Sequence, residues 1–117
     1  MLVSSAAARL GLPNHQAIAA AKAGVIGLTL SAAASYAGYG IRVNCAAPGL
    51  VKTPLTQRIT GNETSLRASI ARHPLRRIGE SADVASAIAW LVDPRNCWVT
   101  GQILGVDGGL GSVRSKH

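Results

Sequence analysis

The sequence predicts an α/β fold, a parallel sheet with helices on both faces, and three observations carry that expectation. Short apolar runs near residues 1–5, 41–45 and 102–106 alternate with longer stretches at helical spacing. Pro48-Gly49, Asp93-Pro94 and Asp107-Gly108-Gly109 punctuate them as turns. Apolar residues make up 48% of the 117 residues but aromatics only 3%, with no Phe. Ala, Gly, Val, Leu and Ile must therefore build the core, which suits close helix-on-sheet contact.

In order, residues 1–5 read as a short buried strand. Asn14 is placed to cap a helix running to about Ala37, with Pro13 keeping the preceding turn extended. Ala17, Ala20, Ala21, Gly24 and Gly27 are expected where this helix closely approaches a sheet or another helix. Each glycine costs about 1 kcal/mol against alanine, which close packing would offset. Gly38 and Gly40 are expected to end the helix with positive φ. Ile41, Val43 and Cys45 alternate with Arg42 and Asn44 in a second strand that stops at Pro48-Gly49.

Residues 54–78 are polar, arginine-rich and broken by Gly61; they read as a mobile lid of one or two short helices. Helix resumes after Gly79, capped by Glu80 or Ser81. Val84, Ile88, Leu91 and Val92 form its apolar stripe, and Asp93-Pro94 ends it. Residues 102–106 form the last strand, and residues 110–117 read as a frayed tail. With no repeat, low-complexity tract or linker, this is one structural unit.

Twelve Lys and Arg face five acids, a formal charge of +7, and five arginines fall between Arg58 and Arg77. A nucleic-acid binder would place stacking aromatics near such a patch. None lies between Tyr39 and Trp90, so nucleic acid is not an expected partner. The patch reads first as a solvated face, and second as a lid steering anionic substrates such as acyl thioesters.

Cys45 and Cys97 stand in no C-x-x-C or Cys/His cluster, so neither a metal site nor a disulfide framework is expected. No basic region precedes apolar residues as in a secretory signal. Residues 16–38 are interrupted by Lys22 and contain Ser, Thr and Tyr, so no membrane span is expected. The expected compartment is the cytoplasm.

Three segments carry a resemblance: SSAAARLGLPNHQAIAAAK at residues 4–22, NCAAPGLVKTPL at 44–55, and GQILGVDGG at 101–109. Their order and approximate spacing resemble the short-chain dehydrogenase/reductase superfamily, 3-oxoacyl-carrier-protein reductases in particular. The resemblance covers nearly the whole chain. It implies the C-terminal half of a Rossmann-type doubly wound sheet, since the family's domain is about twice this length. Met1 falls where the family has a mid-strand residue, and no glycine-rich phosphate-binding turn precedes it. The chain is thus expected to be truncated, with Met1 an internal residue.

The family's chemistry needs a donor to hold a carbonyl oxygen and an acid to protonate it during hydride transfer. The resemblance assigns the first role to Ser5. The acid, a tyrosine in the family, falls at Ile18, which has no proton to give. Lys22 stands four residues on, on the same helix face, where the family's lysine lowers the phenol's pKa and binds the nicotinamide ribose. Pro48, Gly49, Val51 and Thr53 match the family's turn against the nicotinamide of NAD or NADP.

Tyr36 lies about 21 Å beyond Lys22 along a helix and cannot replace the tyrosine, and Tyr39 is farther still. His15, about 10 Å before Lys22 on roughly the right face, is the candidate substitute acid.

The resemblance implies an NAD(P)-dependent oxidoreductase acting on a carbonyl or acyl thioester when complete, with this chain inactive alone. Two other readings stand beside it. One is a non-catalytic relic of the fold acting in assembly; the other is a basic module binding an acidic partner or nucleic acid. The family's subunit contacts imply a homo-oligomer formed through residues 20–34 or 84–106.

Overall fold

Three parallel strands form one open sheet, side by side in sequence order. A computed structural model describes residues 1–116, in which the strands are β1 (Leu2–Val3), β2 (Cys45–Pro48) and β3 (Ile103–Val106). His117, the last residue of the expected tail, lies outside the described residues. The helices are α1 (Gln16–Tyr36), α2 (Gln57–Thr60), α3 (Glu63–Arg72) and α4 (Ser81–Val92).

The centre of the sheet is buried on both faces. Cys45, Ala46 and Ala47 point alternately to opposite sides, and all three are 0% exposed. Helix α1 packs against β1, and α4 against β2 and β3. Leu2 pairs with Cys45, and Cys45 with Ile103, through to Pro48 opposite Val106. Pro48 is tolerated because β1 has ended by its level, so no partner on that side needs its missing N–H.

The second strand lies later than the alternation of Ile41, Val43 and Cys45 suggested. Neither neighbour extends far enough to ladder with Ile41. Val43 is held instead by the Thr100 hydroxyl, which accepts its N–H at 3.0 Å, and by the Gly101 N–H, which donates to its carbonyl at 2.7 Å. Buried Asn44 completes the splice: its amide nitrogen donates to the Val99 carbonyl, and its side-chain oxygen accepts from Gln102 N, both at 3.0 Å.

Helix α1 corrects two expectations. Asn14 does not cap it: Asn14 takes a left-handed φ of 61°, and His15 occupies the cap position without a side-chain bond to the helix N–H groups. Nor do the small residues meet the sheet or another helix within this chain. A Cβ at Gly24 or Gly27 would meet nothing within 4 Å, and Ala17, Ala20 and Ala21 are exposed. The buried side carries Thr29 and Ala33. Ser4 ties the helix to the sheet by donating its hydroxyl to the Lys22 carbonyl at 2.7 Å. By length and composition residues 16–39 could cross a membrane; here α1 contacts β1 along one side and leaves most of its surface exposed. Of the two glycines expected to end the helix, Gly40 alone has a positive φ, 73°.

Helix α4 is fixed at both ends. Asp83 accepts the Glu80 N–H at 2.7 Å and receives two bonds from Arg77, at 2.7 and 3.0 Å. The Arg77 hydrogen bonds, with the Glu80 backbone bond behind them, pull the Asp83 carboxyl down to about 2. At the far end Arg42 donates to the carbonyls of Leu91 and Val99 at 2.9 Å and of Asp93 at 3.3 Å. Leu91 is buried as its place in the stripe requires, whereas Val92 is exposed.

Candidate active site

A cleft of about 440 Å³ opens beyond the C-terminal ends of β1 and β2, where open α/β sheets bind ligands. One wall is made by the chain leaving the strands: Ser5, Pro48, Gly49 and Leu50. Ile18 and His15, at the start of α1, stand beside it, and α3 forms the opposite wall through Ser65, Ser69 and Arg72.

Ser5 sits at the N-cap of the short 3-10 turn Ala6–Ala8, and its Oγ accepts the Ala7 N–H at 3.1 Å. The hydroxyl proton is left to donate elsewhere. His15 hydrogen-bonds through Nδ1 to the Pro13 carbonyl at 2.7 Å. A carbonyl can only accept, so Nδ1 carries the proton and Nε2 is left available. Ile18 is 47% exposed and presents a hydrocarbon surface where the family has its acid.

Other residues expected at the site lie off the cleft. Lys22 Nζ donates to the Val3 carbonyl at 3.2 Å and does not line it. Neither do Val51 and Thr53. Val51 forms a parallel bridge with Gly79, and the Thr53 N–H donates to the Thr56 hydroxyl at 3.0 Å. These bonds brace the turn after β2.

Sequence reasoning missed His73. It is buried, and its Nδ1 donates to the Ser69 carbonyl at 2.7 Å while Nε2 accepts the Leu50 N–H at 3.2 Å. These partners fix a neutral tautomer that pins the end of α3 to the Pro48–Gly49–Leu50 turn. Gly49 is required there: a Cβ would stand 2.7 Å from His73 Nε2 and 3.0 Å from the Asp107 Cα. Asp107 is buried too, its carboxylate accepting from Gly109 N at 2.9 Å and Gly111 N at 3.0 Å. A single His before Pro74 in an arginine-rich stretch carries no periodic signal, and its partner Leu50 is 23 residues away.

Among the described residues no group of three or more His, Cys, Asp or Glu could hold a metal ion. Cys45 is buried and Cys97 exposed, both as free thiols. The small turn at Gly49 and the hydroxyl at Ser5 suit a nicotinamide and a substrate oxygen. Residues 1–117 contain no glycine-rich strand-to-helix turn to hold a pyrophosphate.

Residues 1–111 match the model of the family described as enoyl-(acyl carrier protein) reductase. A 3-oxoacyl-[acyl-carrier-protein] reductase of Thermotoga maritima is 43% identical over 108 residues, 92% of this chain and 43% of that protein. The cis-4-hydroxycyclohexanecarboxylate dehydrogenase of Sinomonas cyclohexanicum is 46% identical over 112 residues, 95% of this chain and 44% of that protein. Among solved structures, a putative gluconate dehydrogenase from Agrobacterium tumefaciens superposes with a TM-score of 0.91 at 31% identity, covering 97% of this chain and 45% of that one. ElxO with NADP bound gives 0.87 at 34%, covering 96% and 46%. The chain spans less than half the length of these relatives. With its three motifs in order along one parallel sheet, the chain belongs to the short-chain dehydrogenase/reductase superfamily.

Proposed function

We propose that this chain forms the nicotinamide- and substrate-facing part of an NAD(P)-dependent oxidoreductase that reduces a carbonyl or oxidises an alcohol. One observation carries the reading: Ser5, the residue-18 position and Pro48–Gly49 line a single cleft at the ends of adjacent parallel strands. The relatives' names support it, being those of reductases and dehydrogenases, as does the NADP bound to ElxO.

The nicotinamide, when bound, supplies or takes the hydride. The Ser5 hydroxyl donates to the substrate oxygen, oriented by the Ala7 N–H that it accepts. Pro48 and Gly49 line the cleft where the ring would lie, and Val51 and Thr53, outside the cleft, brace the turn whose backbone would meet the carboxamide. Lys22, holding Val3 with one of its three protons, has two left for ribose hydroxyls. His15, held through Nδ1–H to Pro13, is the group left to give the proton that Ile18 cannot; it does so as the imidazolium, losing the proton from Nε2 and returning to the neutral ring.

The phosphate contacts belong to an upstream half in a longer protein, so the 117-residue chain alone turns over no ketone, aldehyde or thioester. Ile18 favours a second reading, in which the fold is kept for assembly with no turnover. A second copy is proposed to cover α1, where Leu28 and Leu30 are exposed; a monomer by light scattering at high concentration would remove that proposal. The free thiols suit a reducing cytoplasm.

NAD(P)H oxidation followed at 340 nm tests the reading. In the longer protein, Ile18→Tyr should raise turnover by about 10²–10⁴-fold, the usual contribution of a general acid. In the 117-residue chain the same change should rescue nothing. If the longer wild type is active and His15→Ala abolishes that activity, His15 is the acid. If the longer protein is inactive with and without Ile18→Tyr, the oxidoreductase reading falls.

A further inference from the structure

We propose that Arg72, flanked by Ser65 and Ser69, is a carboxylate-binding subsite, so that the substrate taken by the cleft is a short acid with an apolar body. The proposal rests on the cleft assignment above and adds the class of molecule that fills it. Ser65, Ser69 and Arg72 stand at i, i+4 and i+7, which puts them on one face of α3, and that face lines the cleft. The two bonds of His73 hold this wall in place next to Arg72.

Charge accounting then singles out Arg72. None of the chain's five acidic side chains lines the cleft. Glu63 is paired with Arg67, Asp83 with Arg77, and Asp93 with Arg95. Asp107 is held by the N–H groups of Gly109 and Gly111, and Glu80 lines a different depression near Lys52. Among the described residues Arg72 makes no side-chain hydrogen bond or ion pair, and no neighbouring carboxylate would repel an incoming anion.

A guanidinium presents a planar fork of donors that matches a carboxylate, and serine hydroxyls add further donors beside it. The rest of the lining is mostly apolar, with Leu12, Ile18, Leu50 and Ile59 among it. An apolar chamber with one permanent cation at its rim matches a monoanion with a hydrocarbon body. A phosphate dianion would call for a second cation.

The test is amide NMR of the isotope-labelled 117-residue chain titrated with 3-hydroxybutyrate, its methyl ester, or inorganic phosphate. The proposal expects saturable shifts at Ser5, Leu50, Ser65, Ser69 and Arg72 with the acid, and none with the ester. Arg72→Gln should weaken the acid at least tenfold. Arg76→Gln, an exposed arginine off this cleft, should leave it unchanged. Equal binding of the ester, full binding by Arg72→Gln, phosphate matching the acid in its dependence on Arg72, or no saturable shift would each overturn the assignment. Turnover is not read in this experiment, so the subsite can stand where the oxidoreductase assay fails, and the reverse.

Discussion

The two walls of the cleft are built by different means. One is the continuation of β1 and β2, where Ser5 and Pro48–Gly49 follow directly from a sheet centre whose residues are wholly buried. The other is α3, short and with no buried residue of its own. His73, just past its end, holds it to the first wall through the Leu50 N–H and the Ser69 carbonyl. The first wall is fixed by the core and carries the groups proposed for chemistry. The second hangs from a local anchor and carries the groups proposed to meet the rest of the substrate, so it can vary without disturbing the sheet.

The sharpest way to break that contrast is His73→Leu. It leaves the Leu50 N–H without its acceptor at a half-buried position, a loss of about 1 kcal/mol or more, with the lost Ser69 bond adding to it. Hydrogen exchange should show protection lost over residues 63–72 and retained over Cys45–Ala47. Uniform loss across both regions would mean that the walls are not separate units.

A smaller effect is expected from Gly49→Ala. Its Cβ would meet His73 Nε2 at 2.7 Å and backbone of Asp107 at 3.0 Å, so the turn and the anchor must part. Overpacking of this kind costs about 1–3 kcal/mol. Thermal unfolding should record it, and combining Gly49→Ala with His73→Leu should cost less than the sum because both disturb one contact. Strict additivity would show that Gly49 and His73 are not coupled.

The smallest effect lies away from both walls, at the start of α4. The Arg77 bonds depress the Asp83 carboxyl from 3.8 to about 2 in the folded chain. A depressed acid stabilises the fold above its unfolded value, and that contribution fades as pH falls from about 4 toward 2. Asp83→Asn should therefore lower the melting temperature slightly at neutral pH and match the wild type near pH 2. The pair is exposed, so added salt should shrink the difference. A gap that widens in acid would contradict this.

The outline of the fold was legible in the sequence because turn residues and apolar runs are local signals. The strands beginning at Leu2 and Ile103 came out near their observed bounds. The second stopped at Pro48 as expected but began later than Ile41, because Cys45-Ala-Ala-Pro48 is a buried central strand of weak β-formers. The alternating residues just before it mimicked a half-buried one. In α1, Ala and Gly spacing suggested a packed face, but with small apolar residues nearly all round the helix, pattern alone could not say which side meets the sheet.

At the site, Ser5, Pro48 and Gly49 were legible because their spacing matches a family motif at strand ends. The paths of Lys22 to the Val3 carbonyl, and of Val51 and Thr53 into bracing bonds, depend on side-chain and loop geometry that spacing does not encode. His73 was invisible for another reason. It joins the cleft through its bond to Leu50, 23 residues away, and α3, with Arg72 on it, is brought to the cleft by that anchor.

The wall formed by Ser5, Ile18 and Pro48–Gly49 is proposed as a nicotinamide site, and nicotinamide mononucleotide probes it apart from the rest of the dinucleotide. That ligand carries the ring, the ribose and one phosphate, and so asks nothing of an adenosine or pyrophosphate pocket. Titrated into the labelled 117-residue chain, it should give weak, saturable amide shifts at Ser5, Ile18, Gly49 and Leu50, with ribose 5-phosphate alone giving none there. Shifts confined to α4 or the basic lid, equal shifts with ribose 5-phosphate, or none at all would contradict the account.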